Sequence, residues 1–478
     1  MDLRRKIAQR RTLEAERELD AERELAVTLP GAVAALEAAA PPRPAEGADP
    51  LYQARVARLR GMLDGLIARH KERDTVRGRA DDGATLRMRL GQRGVLPGAE
   101  HRSPRGPIHV VTQTLEPDHH HGKTPVGRAR GADAEIVARL ALDADLARLD
   151  LSRMLFLDTE TTGLAGGTGT LPFLTGVAWF EDQSLFVEQY LVRRPSEEAA
   201  MLGMLAEKLH LASCVVSYNG KSYDLPLLRS RYVMNRMTAP VEPPHIDLLH
   251  CARRLYRRRL GEVRLVTLEE RLLGFRRERD IEGHEIPSLY WSALRADDPS
   301  ALLPVLEHNA NDLIALAALL GAIVERYQHL HREDDPSDHF SLAVVAQRAD
   351  DKDRARRFAE AAAEGGGDER VTIDALELTA RLARAEKDHR RAEIALLRAL
   401  EVAGPIAGLA APLHLELAKL YEHRLGDPAR ALVHARCVHV VEGEAPALKR
   451  IARLERRLQR RTLRAQARAG AGAPAGRG

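Results

Sequence analysis

Asp158 and Glu160 stand two residues apart at the end of the apolar run "MLFLD", within "FLDTETTGLAGGTGT" (156–170). On an extended segment, residues i and i+2 point to the same side. Two carboxylates held that close repel each other, and at the end of a buried strand they are costly unless a cation compensates. Mg²⁺ and Mn²⁺ take oxygen ligands, so such a pair suits them. Taken alone, D-x-E also fits a surface turn carrying two solvated acids.

Two further acids give the pair company. "SYNGKSYDLPLL" places Asp224 just after a second apolar run, with Asn219 and Tyr223 nearby, and "EHNANDLIAL" places Asp312 four residues after His308. Spacing i, i+4 puts His308 and Asp312 on one helix face. An acid leading into "LIALAALLGAIV" needs a buried partner or an open edge. Each acid singly reads as structural; jointly, acids on two strand ends and one inward helix can converge on one divalent-cation site. Gly163, Gly166, Gly167 and Gly169 allow either a backbone that closely approaches a nucleotide or a plain flexible loop. No G-K-[ST] follows, which excludes a phosphate-binding P-loop.

These residues need elements to position them. From 150 onward, strand and helix patterns alternate. "MLFLD" and "SCVVSYN" are short apolar runs of the buried-strand kind, and "FLTGVAWFE" and "SLFVEQYLV" flank Asp182–Gln183 as a hairpin. Helical patterns cover 196–210, with Ser196 as N-cap, then "DLPLLRSRYVM", the second half of "HIDLLHCARRLYRRRL", and 301–327. Asp247, ahead of a helix, reads as an N-cap, with a supporting role behind the acids as the alternative. A meander followed by helix, strand and helix describes a mixed sheet flanked by helices, an α/β fold. Upstream, "IHVVTQTLEPDHHHGKTPVG" begins as a strand and ends in His119–His121, read as a polar loop in preference to a metal site. Beyond "HREDDPSDHF" the chain is Ala/Leu/Arg helix. Ala343, Ala355 and Ala362 recur as Ala380, Ala392 and Ala399, and again near Ala418, Ala431 and Ala435. Small residues at such places let paired helices approach closely.

The three acid motifs in this order resemble those of the DEDD exonuclease superfamily, on a ribonuclease-H-like fold. With "HIDLLHCARRLYRRRL", "IPSLYW", "HNANDLIALAALLG" and the upstream "DHHHG", the chain is more closely similar to the YprB-type bacterial ribonuclease-H-like family. The C-terminal helices resemble tetratricopeptide repeats of about 37–39 residues. The resemblance implies a 3′→5′ exonuclease hydrolysing DNA or RNA with two divalent ions, Mg²⁺ or Mn²⁺. Asp158 would bridge the ions, Glu160 and Asp312 would complete the first site, and Asp224 would hold the second, partly through water. His308 would orient or deprotonate the attacking water. Superfamily members place a tyrosine at this x3 spacing from the last Asp and a histidine at x4; this chain puts a histidine in the tyrosine register. Thr161, Leu164, Asn219, Tyr223, Arg254 and Arg257 are the expected substrate contacts. The last two belong to a basic stretch (Arg253, Arg254, Arg257, Arg258, Arg259) that fits a solvated face or a phosphate contact equally.

The domain division expected is a helical or disordered region with a linker (1–105), a lead-in hairpin and His-rich loop (106–149), the ribonuclease-H-like domain (150–328), helical tetratricopeptide-like repeats (338–465) and a disordered tail (466–478). Composition bounds the rest. With 73 Lys plus Arg against 69 Asp plus Glu, the net charge is only +4, so any nucleic-acid surface is a local patch. Aromatics are 4%, which excludes long rows of base-stacking rings. Three distant cysteines, no apolar leader and no apolar run long enough to span a bilayer lead to the expectation of a soluble, cytoplasmic protein without membrane partners. A competing expectation is a nucleic-acid-binding adaptor with little or no cleavage, whose helical repeats dock a protein partner. Endonucleolytic cutting is a third.

Overall fold

The computed structural model of the chain describes residues 96–163, 169–278, 280–438, 441 and 443–471. Expectations for nearly all of 1–105, for Leu164, Gly166 and Gly167, and for the end of the tail lie outside the described residues.

Nine strands are described: β1 (Ala99–Ser103), β2 (Gly106–Leu115), β3 (His120–His121), β4 (Thr124–Pro125), β5 (Met154–Thr161), β6 (Pro172–Glu181), β7 (Ser184–Leu191), β8 (Cys214–Ser217) and β9 (His245–Asp247). Seven form one mixed sheet in the order β1-β2-β7-β6-β5-β8-β9, and β3 and β4 form a separate small hairpin. β5, β6 and β7 are the antiparallel meander, and β8 and β9 continue beside β5 in parallel. β2 pairs along β7 from His109 to Leu115, so the upstream strand extends this same sheet.

Met154, Leu155, Phe156 and Leu157 are all buried, because both faces of β5 are covered. Met154 and Phe156 join one apolar cluster, Leu155 and Leu157 the other. The covering helices are α1 (Ala134–Ala141), α2 (Glu198–Leu211), α3 (Asp224–Met234), α4 (Leu248–Leu260), α5 (Ile286–Ala296) and α6 (Leu303–Gln328). α6 serves both clusters: Val305 and Leu306 pack in one, and its residues from Leu313 onward in the other. Ser196 does not cap α2. It lies in a 3₁₀ turn, Pro195–Glu197, where the Glu197 carboxylate accepts from the Arg193 N–H instead.

The C-terminal region is helical: α7 (Pro336–Arg348), α8 (Lys352–Glu364), α9 (Glu369–Ala385), α10 (His389–Ala403), α11 (Ala407–Leu420), α12 (Pro428–Ala435) and α13 (Glu444–Ala471). α13 runs six residues into the stretch expected as tail, since Ala and Arg both favour helix. All nine periodic alanines, from Ala343 to Ala435, are at most 1% exposed. α7 and α8 add Leu342, Ala343, Val345 and Phe358 to the sheet domain's own cluster, so the helical array is packed onto that domain. The basic stretch on α4 takes part in this docking. Arg258 pairs with Asp374 at 2.7 Å and lies over the Phe340 ring, and Arg259 pairs with Asp338 at 2.8 Å. Among the described residues no helix is long and apolar enough to cross a membrane.

Packing through alanine leaves little room for a larger side chain. Ala392→Leu is expected to cost about 1–3 kcal/mol by overpacking, read as a shifted urea midpoint, whereas Ile394→Ala, at a position 60% exposed, should leave that midpoint nearly unmoved.

Candidate active site

β5 is buried through Leu157 and opens from Asp158 onward. Asp158 and Glu160 sit on that opening half, facing α6. Asp158 Oδ2 accepts from Asn309 Nδ2 at 2.7 Å. Asn309 is itself fixed, since its Oδ1 accepts from Gln189 Nε2 at 2.9 Å and Gln189 also donates to the Leu306 carbonyl. This close approach of α6 to the sheet needs Gly176, which pairs with Asp158 across β6. A Cβ there would stand 2.2 Å from Asn309 Oδ1 and 2.7 Å from Leu313 Cδ1.

Among the described residues, Glu160, His308 and Asp312 come together, with one ligand-type atom from each within 4.8 Å of the others. Asp224 arrives from the first turn of α3. Thr159, on the opposite side of β5 from Asp158, donates to Asp224 Oδ1 and ties that helix end to the strand. The 218–223 loop leading to it is held by Asp247, which accepts from the N–H groups of Asn219 (2.8 Å) and Lys221 (3.2 Å) while capping α4 through Leu249 N. Asp247 is therefore an N-cap that also positions Asp224.

Burial is the largest influence on each of these carboxyls. It drives Asp158 well above the usual carboxylate range, the charges of Asp312 and Asp224 push it further, and the Asn309 bond opposes them. Glu160 is raised in the same way by burial and by Asp158, Asp312 and Asp224, with Arg277 opposing. Asp224 is lifted to about 6 by burial, against the Thr159 bond.

The charge that opposes these anions comes from Arg277, whose side chain is 2% exposed. Its guanidinium donates to Asp312 Oδ1 and to Glu269 at 2.8 Å, and lies 3.4 Å from Asp280. Glu269 is fully buried at the start of a π turn, Glu269–Leu273, and its other oxygen meets His121 Nε2 at 2.7 Å. His121 stacks on Phe275. The β3–β4 hairpin fits against this turn because Gly122 has φ +63° and a Cβ there would lie 2.4 Å from the Leu273 carbonyl oxygen. His121 is thus a buried anchor, a correction to the polar-loop reading. His120 only bonds its own loop, at the Asp118 carbonyl. A chain of contacts runs His121–Glu269–Arg277–Asp312, and reasoning from sequence missed its middle members.

The remaining expected residues are distributed as follows. Thr161 donates to the Gly163 carbonyl, and the neck of the glycine loop is closed by two bonds between Thr162 and Leu171. Tyr223, beside Asp224, is 57% exposed. Asn219 has φ +67°, where asparagine is among the tolerated residues. Arg254 donates to the Leu140 carbonyl and Arg257 is exposed on α4; neither is among the contacts of the acid group.

With that geometry in view, residues 155–324 match the RNase_H_2 model of the RNase_H superfamily. The "Uncharacterized protein YprB" of Bacillus subtilis (strain 168) is 30% identical over 316 residues, 64% of this chain and 75% of that protein. The chain belongs to the YprB-type ribonuclease-H-like family. Among solved structures, the family B DNA polymerase of the hyperthermophilic archaeon Pyrobaculum calidifontis aligns at 11% identity with a TM-score of 0.29, over 49% of this chain and 29% of the polymerase, a likeness too slight to carry an argument.

A carboxyl whose folded pKa is raised holds a proton that the unfolded chain has released. For Asp224 the window runs from its ordinary value of 3.8 to about 6, and without cations the folded state loses stability as pH rises through it. Asp224→Asn is therefore expected to raise the melting temperature of the chelator-treated protein at pH 7 and to flatten its dependence on pH between 4 and 6. Melting curves across that range, with wild type alongside, check this.

Proposed function

We propose that the chain is a divalent-cation-dependent nuclease that hydrolyses phosphodiester bonds of DNA or RNA, working as a 3′→5′ exonuclease. The observation that carries this reading is the grouping of Glu160 on β5 with Asp312 on α6, with Asp158 on β5 and Asp224 on α3 close enough for their charges to act on Glu160. The donor set fits Mg²⁺ or Mn²⁺: hard carboxylate oxygens, partly buried, whose mutual repulsion a cation would relieve. Asp158, Glu160 and Asp312 would hold a first ion, and Asp224, with Asp158, a second. Bound there, such ions supply Lewis-acid polarisation of the phosphate and an acidified water.

The chain's own groups do the rest. Asn309 keeps Asp158 turned toward the cluster, Thr159 ties Asp224 to β5, and Arg277 holds one oxygen of Asp312 so that the other faces His308. Tyr223 offers an exposed ring next to Asp224 on which a terminal base would stack. Thr161, Asn219 and the glycine loop with Leu164 would line the path of the strand. The exposed Arg257 would meet the phosphate backbone farther out, while the carbonyl-bound Arg254 would serve the fold.

We further read α7 to α12 as three tetratricopeptide-like pairs that would dock a protein partner. The buried alanine series supports this reading.

The test is a cleavage panel of 3′- and 5′-labelled single-stranded, duplex and circular DNA and RNA, with Mg²⁺, Mn²⁺ or chelator. The expected result is cation-dependent release of mononucleotides from 3′ ends, absent in Asp158→Asn, with circles intact. Cutting of circles would make the enzyme an endonuclease. Cleavage that survives Asp158→Asn would overturn the site.

A further inference from the structure

The position of His308 calls for a role that its sequence register does not supply. Its ring is fixed through one nitrogen, Nδ1. Nδ1 lies 2.7 Å from Asp280 Oδ1, and an ionised carboxylate can only accept, so Nδ1 carries the proton. Arg277 Nη1 is the more distant neighbour of that nitrogen, at 3.3 Å. Nε2 then points at Glu160 Oε1 and Asp312 Oδ2, 3.8 Å from each.

Those distances are too long for hydrogen bonds. They match two ligand atoms on one cation, since donors each about 2.1 Å from a metal stand about 3–4 Å apart. The spacing along α6 agrees. An imidazole and a carboxylate at i, i+4 project from one helix face one turn apart, the arrangement by which H-E-x-x-H helices hold a metal through two side chains. The contact behind the ring agrees as well, because ligating histidines usually donate their other N–H to a carboxylate.

Resting on the nuclease reading, we infer that His308 is a nitrogen ligand of the first cation, together with Glu160 and Asp312, and that Asp280 is the positioning residue that fixes its tautomer. His308 is then not the general base. Replacing an oxygen donor with imidazole moves the preference of this position away from Mg²⁺ toward Mn²⁺ and later transition metals.

The test uses the full-length chain loaded with Mn²⁺ and pulsed electron paramagnetic resonance, which detects nitrogen bonded to the ion. Wild type is expected to show coupling to one imidazole nitrogen. His308→Gln should lose that coupling, and its Mn²⁺ affinity should fall by more than the about 10–100-fold typical of losing an outer-shell partner, with Mg²⁺ affinity reduced less. Asp280→Asn, which preserves side-chain size, should weaken Mn²⁺ binding about 10–100-fold and alter the coupling. Absent coupling in wild type, or coupling that persists in His308→Gln, overturns the assignment. Cleavage assays on the same samples separate the two claims. Coupling without cleavage of any nucleic acid supports the ligand and ends the nuclease reading, and cleavage without coupling does the reverse.

Discussion

The structure is organised around unbalanced negative charge at the open end of β5. Asp158, Glu160, Asp224 and Asp312 lie near one another with Asp280 and Glu269 close behind, and Arg277 is the cation set among them. A burial of charge this lopsided is a poor way to stabilise a fold, because desolvation costs several kcal/mol per ion and repulsion adds to it. It makes sense as a site left short of positive charge, which divalent cations would complete. Arg277 holds the carboxyls in shape without balancing them all, since it engages one oxygen of Asp312 and leaves the other turned inward.

The surrounding fold supports that arrangement at each side. The sheet carries two acids to the edge of its apolar interior. α6 brings Asp312, His308 and Asn309 along one helix, and Gly176 allows that helix to lie close enough for Asn309 to grip Asp158. The π turn turns Glu269 inward to bind Arg277, and the β3–β4 hairpin seals the turn with His121. Segments far apart in the chain are thereby committed to the same few atoms. The helical array, in contrast, is joined through α4 and the apolar cluster behind the sheet, and it leaves the acid end to other elements.

The four acids were legible in sequence because each interrupts or borders an apolar run, where an unneeded charge would be conspicuous. The strands and most helices were legible from the same periodicity. The alanine series was legible because close helix packing demands small side chains at regular places, and all nine are buried. What did not show was pairing between distant residues. Glu269 in "TLEERLLG" looks like a helix-surface glutamate, and Arg277 and Asp280 lie in a charge run, "RRERD", that reads as solvated. Only the fold reveals that His121 and Glu269, 148 residues apart, are in contact. Two of the α4 arginines have partners that their charge run did not show. The basic stretch reads equally as a solvated face or a phosphate contact, whereas Arg258 and Arg259 hold carboxylates of the helical array.

The central claim is that the open end of β5 is a cation centre. Crystals of the full-length chain soaked in Mn²⁺, with anomalous diffraction recorded at the manganese edge, test it most directly. The account predicts the strongest anomalous peak among Asp158, Glu160, His308 and Asp312. Peaks confined to other parts of the surface at saturating Mn²⁺, with Arg277 still pairing Asp312 and no ion beside it, would contradict it.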